Sequence, residues 1–379
     1  MSPAMVMNDQ RREDDIPEIQ YHKGVKHLFE NGHLQTVPRK YILPASDRPT
    51  TSIDVPNNVA KQNLQLPIID FADLLGPNRP QALQSLANAC EQYGFFQLVN
   101  HCISDDDIKS VIDVIGKFFD LPFEDRAKYM TTDMRAPVRY GTSFSQTKDT
   151  VFCWRDFLKL MCDADYVPHW PSSLGDFRKV VATYAEETKH LFLVIMEAIL
   201  ESLGIMEASK EQKTEEKDNI MRDFSNGSQM MVANFYPTCP EPDLTLGMHP
   251  HSDYGFLTLL LQDEVEGLQI QYQEKWVTVQ PIPNAFVVNI GDHLEIYSNG
   301  KYKSVLHRVV VNEVKSRVSV ASLHSLPFTC TVRVSPKLID EENPKRYMDT
   351  DFETFLAYVS SREPKKKDFL NSRKLFTCT

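Results

Sequence analysis

The chain has 379 residues, a formal net charge of −11 and seven cysteines. That length can bury one large core, and the acidic balance excludes a general phosphate-binding surface, which needs clustered Lys and Arg. An odd cysteine count with no C-x-x-C pair argues against a disulfide framework, and no apolar run reaches the length of a membrane span. The expectation is a soluble, cytoplasmic protein with no nucleic-acid, membrane or obligate protein partner.

In chain order, residues 1–65 mix prolines and charges with little periodicity and read as an arm that docks on the body. Lys23–Phe29 suits a short helix. Val37–Tyr41 suits an extended piece, because the residue before a proline avoids helix. His22, His27 and His33 have no carboxylate at ligand spacing and read as surface residues.

Residues 66–206 form a mostly helical region with some strand. Leu66–Asp70 and Phe95–Val99 read as strands, and apolar positions 82, 83, 86, 87 and 90 mark one helical face that Gly94 ends. Ser104 with Asp107 has capping-box spacing, and apolar positions 108, 111, 112, 115, 118 and 119 follow. Further helices are expected at about 122–130 and 175–203, with an aromatic, turn-rich stretch over 139–157 between them. Cys153 and Cys162, among aromatic and apolar residues, read as core or pocket wall.

Residues 207–226 are charged and read as an exposed helix or linker. Strands then come quickly, at 230–235, 256–261, 268–272, 276–280, 285–289, 305–311, 317–323 and 329–334. Eight short strands at this spacing predict a double-stranded β-helix, or jelly roll, over 227–335. The fold class is therefore mainly β with a helical annex. In the tail, 336–379, Asp351–Ser360 has a helical face that can cover the mouth of the roll, and Lys365–Lys367 reads as solvated.

The chemistry concentrates in Met248-His249-Pro250-His251-Ser252-Asp253 and in His307. His251 and Asp253 stand two apart, so in a strand both side chains leave on one face. His307 lies far enough on for the chain to leave and return beside them. Two imidazoles and one carboxylate leave the other octahedral positions of an ion open, as in non-haem Fe(II) oxygen chemistry, although zinc takes the same donors. His249 stands four residues from Asp253, which suits a helix and not this stretch, so His251 is the expected ligand. Arg317 and Ser319 also stand two apart, and can grip one carboxylate of a small diacid. Asn234 and Tyr236 repeat that spacing.

These pieces, N-x-Y-P, then H-x-D, then a distal His, then R-x-S, resemble the plant 2-oxoglutarate- and Fe(II)-dependent dioxygenases. The resemblance runs from about Leu66 to about Val334 and includes Gly255–Leu260 and Val287–Asp292. Ala321–Pro327 resembles the flavanone 3-hydroxylase-like or downy-mildew-resistance-6-like branch. It implies Fe(II) on His251, Asp253 and His307, with 2-oxoglutarate held by Arg317, Ser319, Asn234 and Tyr236. O2 would be consumed and succinate and CO2 formed, with ascorbate as reductant. The retained Asp253 implies no halogenation.

By the same resemblance, Tyr140, Phe144 and Phe157 are candidates to touch substrate, as are Val232, Leu323 and Ser325. Because the last three offer no charge, a small neutral or weakly polar flavonoid, phenylpropanoid or alkaloid is expected, to be hydroxylated or desaturated. An oxidase of the same fold that needs no 2-oxoglutarate, and a non-catalytic small-molecule-binding protein, are the alternatives.

Overall fold

Twelve strands lie in two sheets in the computed structural model, which describes residues 16–32, 35–49, 65–143, 149–206, 215–361 and 368–375. They are β1 (Ile68–Asp70), β2 (Phe95–Val99), β3 (Val138–Thr142), β4 (Asp156–Met161), β5 (Gln229–Tyr236) and β6 (Met248–His251). There follow β7 (Leu257–Gln262), β8 (Leu268–Tyr272), β9 (Lys275–Thr278), β10 (Phe286–Ile290), β11 (His307–Val309) and β12 (Arg317–His324). The larger sheet runs β1-β2-β10-β7-β12-β5-β4-β3 and the smaller β6-β11-β8-β9. From β5 onward the chain passes back and forth between the two. The central strands β10-β7-β12-β5 and the small sheet together form the eight-stranded jelly roll.

The two-residue repeat sorts each strand of the larger sheet into two faces. On β5, Met231 and Ala233 enter the main hydrophobic cluster while Met230, Val232, Asn234 and Tyr236 line a cavity. The helices Asp105–Phe119 and Phe177–Ser202 cover the cluster side, packing on β5, β7 and β12. Asp105–Phe119 starts as its cap predicts, with Ser104 Oγ accepting from Asp107 N at 3.1 Å. Gly94 ends the preceding helical turn at φ +65°, where an added Cβ would stand 2.2 Å from the Lys303 carbonyl oxygen.

The arm docks on the body. Tyr21, Val25, Leu28, Val37 and Tyr41 form a buried cluster with Phe152, Trp154 and Cys239. Asp156 pins it, its carboxylate accepting from Val25 N at 2.9 Å and Lys26 N at 3.2 Å. Gly24 passes so close that a Cβ there would meet that carboxylate at 2.6 Å, and its φ is +102°.

Several expectations are corrected. Arg39–Tyr41, expected as extended chain, is a 3-10 turn, since Pro38 constrains only the residue before it. The stretch 139–157 is not only loop: it carries β3 and the start of β4, which extend the larger sheet beyond the roll. Residues 329–334 form no strand; Val332 makes an isolated bridge to Thr350. An unexpected helix, Asp292–Tyr297, follows β10. The charged stretch holds the helix Glu215–Ser225, whose Phe224 is buried in the main cluster. No helix among the described residues is long and apolar enough to cross a membrane.

Candidate metal centre and substrate cavity

β6 and β11 bring the two expected histidines together, because His251 and His307 are register partners across that ladder. Their rings lie 4.1 Å apart between centroids. Asp253, just past the end of β6, places Oδ1 3.7 Å from the Nε2 atoms of both. One ligand atom from each residue falls within 4.8 Å of the others.

The surroundings fix which atoms converge. His251 Nδ1 donates to the His249 carbonyl at 2.8 Å, and His307 Nδ1 donates to the Val305 carbonyl at 3.3 Å. Each Nε2 therefore keeps its lone pair for an ion. Asp253 Oδ2 accepts from Thr258 Oγ1 at 2.6 Å and Asn289 Nδ2 at 2.8 Å, which leaves Oδ1 for the centre. Burial, and then His307 beside it, pushes His251 below its ordinary range. Burial alone would raise Asp253, but His307, His251 and its two hydrogen bonds hold the carboxyl below the usual range. Neutral imidazoles and an ionised carboxylate are the protonation states a metal requires. The donor set fits Fe(II) in a facial triad.

The two other sequence motifs prove to be rungs of one ladder. Across β12 and β5, Arg317 pairs with Tyr236 and Ser319 pairs with Asn234. Directly opposed residues share a face, so all four line the cavity together. The Arg317 guanidinium sits 5.2 Å from the Tyr236 ring centroid. It is held by Gln262 Oε1 at 2.8 Å, the Val265 carbonyl at 3.1 Å and Ser319 Oγ at 3.4 Å. Gly267 makes room for it, since a Cβ there would come 2.9 Å from Arg317 Cδ. The buried Arg317 thus has neutral partners that orient its fork toward the cavity.

The cavity holds about 330 Å³, within the size range of small-molecule sites. Phe157, Val232, Leu323 and Ser325 line it. Tyr140 does not: its neighbour Arg139 takes the cavity face of β3, and Tyr140 turns into the core. There its hydroxyl donates to Asp156 Oδ2 at 2.9 Å and accepts from Arg126 Nη1 at 3.1 Å. Phe144 falls outside the described residues.

Several lining residues carry no motif. Arg139 faces the cavity from β3, Arg155 from the residue before β4 and Lys159 from β4. Phe352, Phe355, Leu356 and Val359 of the helix Phe352–Ser361 line it as well, so the tail covers the site as its apolar spacing implied. Thr258 and Asn289 sat unrecognised inside strand text. Alternation along Asp156-Phe157-Leu158-Lys159 was the one signal that Lys159 shares a face with Phe157. His249 also faces the cavity; its ring interacts with the Cys153 thiol, and its carbonyl orients His251. His324 is fully buried and stacks on Phe192 at 4.5 Å.

The 2OG-Fe(II) oxygenase superfamily model matches residues 227–325, and one described as the N-terminal region of a non-haem dioxygenase in morphine synthesis matches residues 66–174. Protein DMR6-LIKE OXYGENASE 1 of Arabidopsis thaliana is 41% identical over 309 residues, covering 81% of this chain and 84% of the relative. Flavanone 3-dioxygenase 2 of Oryza sativa subsp. japonica is 39% identical over 344 residues, covering 88% and 93%. Among solved structures, that of JOX2 in complex with 2OG, Fe and JA matches with a TM-score of 0.80 and 31% identity, covering 93% of this chain and 98% of that one.

Proposed function

Because the chain belongs to the 2OG-Fe(II) oxygenase superfamily and is a 2-oxoglutarate-dependent dioxygenase, we propose that it hydroxylates or desaturates a small, partly aromatic specialised metabolite of flavonoid, phenylpropanoid or alkaloid kind. The observation that carries the reading is one cavity with the His251, Asp253 and His307 donors and, on the ladder of β5 and β12, the Arg317–Tyr236 and Ser319–Asn234 pairs.

In this reading His251 Nε2, Asp253 Oδ1 and His307 Nε2 hold Fe(II), which when bound supplies O2 activation coupled to oxidative decarboxylation of 2-oxoglutarate to succinate and CO2. Arg317 and Ser319 grip the far carboxylate of the cosubstrate, Arg317 as a pre-oriented fork and Ser319 as a hydroxyl donor. Tyr236 sets the guanidinium in place. Thr258 and Asn289 keep Asp253 turned toward the centre. Phe157 and the apolar side of the helix Phe352–Ser361 exclude water and position a C–H bond of the substrate.

The test is succinate release from 2-oxoglutarate by the Fe(II)-loaded protein against a panel of flavonoids, phenylpropanoids and alkaloids. Substrate-stimulated succinate with a hydroxylated or desaturated product is expected from at least one class. Cosubstrate turnover that no member of the panel stimulates would sink the proposed substrate class.

A further inference from the structure

The three expected ligands reach the centre from two separate segments of chain. β6 and β11 share two register pairs, His251 with His307 and Met248 with Val309, and the register shifts between them. Ser252 and Asp253 follow β6, and residues 303–306 precede β11, all outside helix and strand. No rung of that ladder fixes Asp253 relative to His307.

Asp292 joins the two segments. It opens the helix Asp292–Tyr297 and is 2% exposed. Its Oδ2 accepts from Ser252 Oγ at 3.2 Å, and Ser252 stands between two of the ligands, His251 and Asp253. Its Oδ1 accepts from Ser304 Oγ at 2.7 Å. Ser304 is followed by Val305, whose carbonyl accepts from His307 Nδ1 at 3.3 Å. One buried carboxyl therefore spans the turn that carries His251 and Asp253 and the stretch that leads to His307.

The backbone repeats the connection. Asp292 N donates to the Asp253 carbonyl at 2.7 Å, and Gly291 N donates to the Phe256 carbonyl at 3.0 Å. Gly291 lets the turns meet, since a Cβ there would stand 2.0 Å from the Gly255 carbonyl oxygen and 3.2 Å from that of Asp253. One helical turn further on, Glu295 Oε2 accepts from Ser304 N at 2.6 Å, and Glu295 Oε1 accepts from the Tyr347 hydroxyl at 2.8 Å. Ser304 is fully buried and held at both its backbone and its hydroxyl, so it is the fixed end of this brace. Ser252, which lines the cavity, is the end that the brace places. Hydrogen bonds suit that task because they are directional, and a working site needs its groups held to within about 0.5 Å.

We propose that Asp292 is a positioning residue for the metal centre, which couples Ser252 to Ser304 and so fixes His251 and Asp253 against His307. This rests on reading those three residues as metal ligands. Thr258 and Asn289 turn the Asp253 carboxylate, whereas Asp292 sets the spacing of the segments themselves.

The test is titration of the metal-free protein with Mn(II), an air-stable stand-in for Fe(II), read by calorimetry and by the electron paramagnetic resonance of the bound ion. Asp292→Ala is expected to weaken Mn(II) binding about tenfold or more and to alter the spectrum of the bound ion. Ser252→Ala is expected to weaken it about threefold or more in the parent, the scale of one hydrogen bond, and no further in Asp292→Ala, where the hydroxyl has no carboxyl to meet. If Asp292→Ala does not fold, Ser304→Ala, which frees the fixed end of the brace, takes its place in the same comparison. Mn(II) affinity within twofold of the parent in the brace variant, or a Ser252→Ala loss that is equal in both backgrounds, would overturn the proposal. A parent that binds no Mn(II) would instead remove the metal-centre reading beneath it.

Discussion

Asn289 donates to Asp253 Oδ2 at 2.8 Å, while Asp253 Oδ1 is the oxygen nearest both His251 and His307. A residue that touches no metal thus decides which carboxylate oxygen faces the centre. Asn289→Ala should lower metal affinity by about ten- to a hundredfold with all three ligands in place. Calorimetric titration with Mn(II) under anaerobic conditions reads this directly; an unchanged affinity would mean that Thr258 alone suffices to turn the carboxylate.

Arg317 meets Gln262, Val265 and Ser319 through three different nitrogens, so its fork is fixed before any diacid arrives. Arg317→Lys keeps the charge but not the planar fork. The KM for 2-oxoglutarate should rise about tenfold or more, with a smaller change in kcat once the cosubstrate is saturating. A KM within twofold of the parent would place the carboxylate elsewhere.

Tyr254 packs on Phe355 at 4.4 Å and on Phe352 at 5.5 Å, joining the helix Phe352–Ser361 to the segment that carries Asp253. Phe355→Ala removes an aromatic face from the cavity wall and loosens that join. Substrate KM should rise, and more succinate should form per product molecule, because water enters a less covered site. The product-to-succinate ratio is the measurement, and a ratio equal to the parent's would show that the helix does not shield the chemistry.

His324 and His293 are buried and held below the ordinary histidine range, His293 down to about 3, in both cases chiefly by burial. The unfolded chain takes up these protons near pH 6.5 and the folded one does not. Stability is therefore present above that pH and falls as the medium is acidified through it, by up to about 1.4 kcal/mol per pH unit for each group. Both His324 ring nitrogens lack a hydrogen-bond partner, and the ring stacks on Phe192. His324→Phe should keep the stack, flatten the loss of Tm between about pH 6.5 and 5, and cost little at pH 7.5. Parallel acid limbs for the two proteins would show that His324 is not responsible.

Asp156 takes hydrogen bonds from Val25 N, Lys26 N and the Tyr140 hydroxyl in a buried setting. Asp156→Ala leaves three donors without their acceptor, at about 1–3 kcal/mol each. Unfolding stability should drop by several kcal/mol, and limited proteolysis should first cut between residues 16 and 49. A stable variant with a protected arm would show that the apolar cluster around Tyr21 and Trp154 is anchor enough.

By itself the sequence determined the pairings that follow from one local rule, the two-residue repeat of a strand. That rule placed Arg317 with Ser319 and Asn234 with Tyr236, and the ordered motifs joined them to His251, Asp253 and His307. Seven of the roll's eight strands were legible in the turn spacing; β6, Met248–His251, was not among the expected strands, and the one expected over 329–334 does not form. What only the tertiary structure decided was register between segments distant in sequence: Arg139 opposite Lys159, Asn289 against Asp253, and Tyr140 turned into the core. Registers of this kind are set by which face of each strand the helices Asp105–Phe119 and Phe177–Ser202 cover. Slipping one strand by a single residue exchanges its two faces, and no local spacing records that choice.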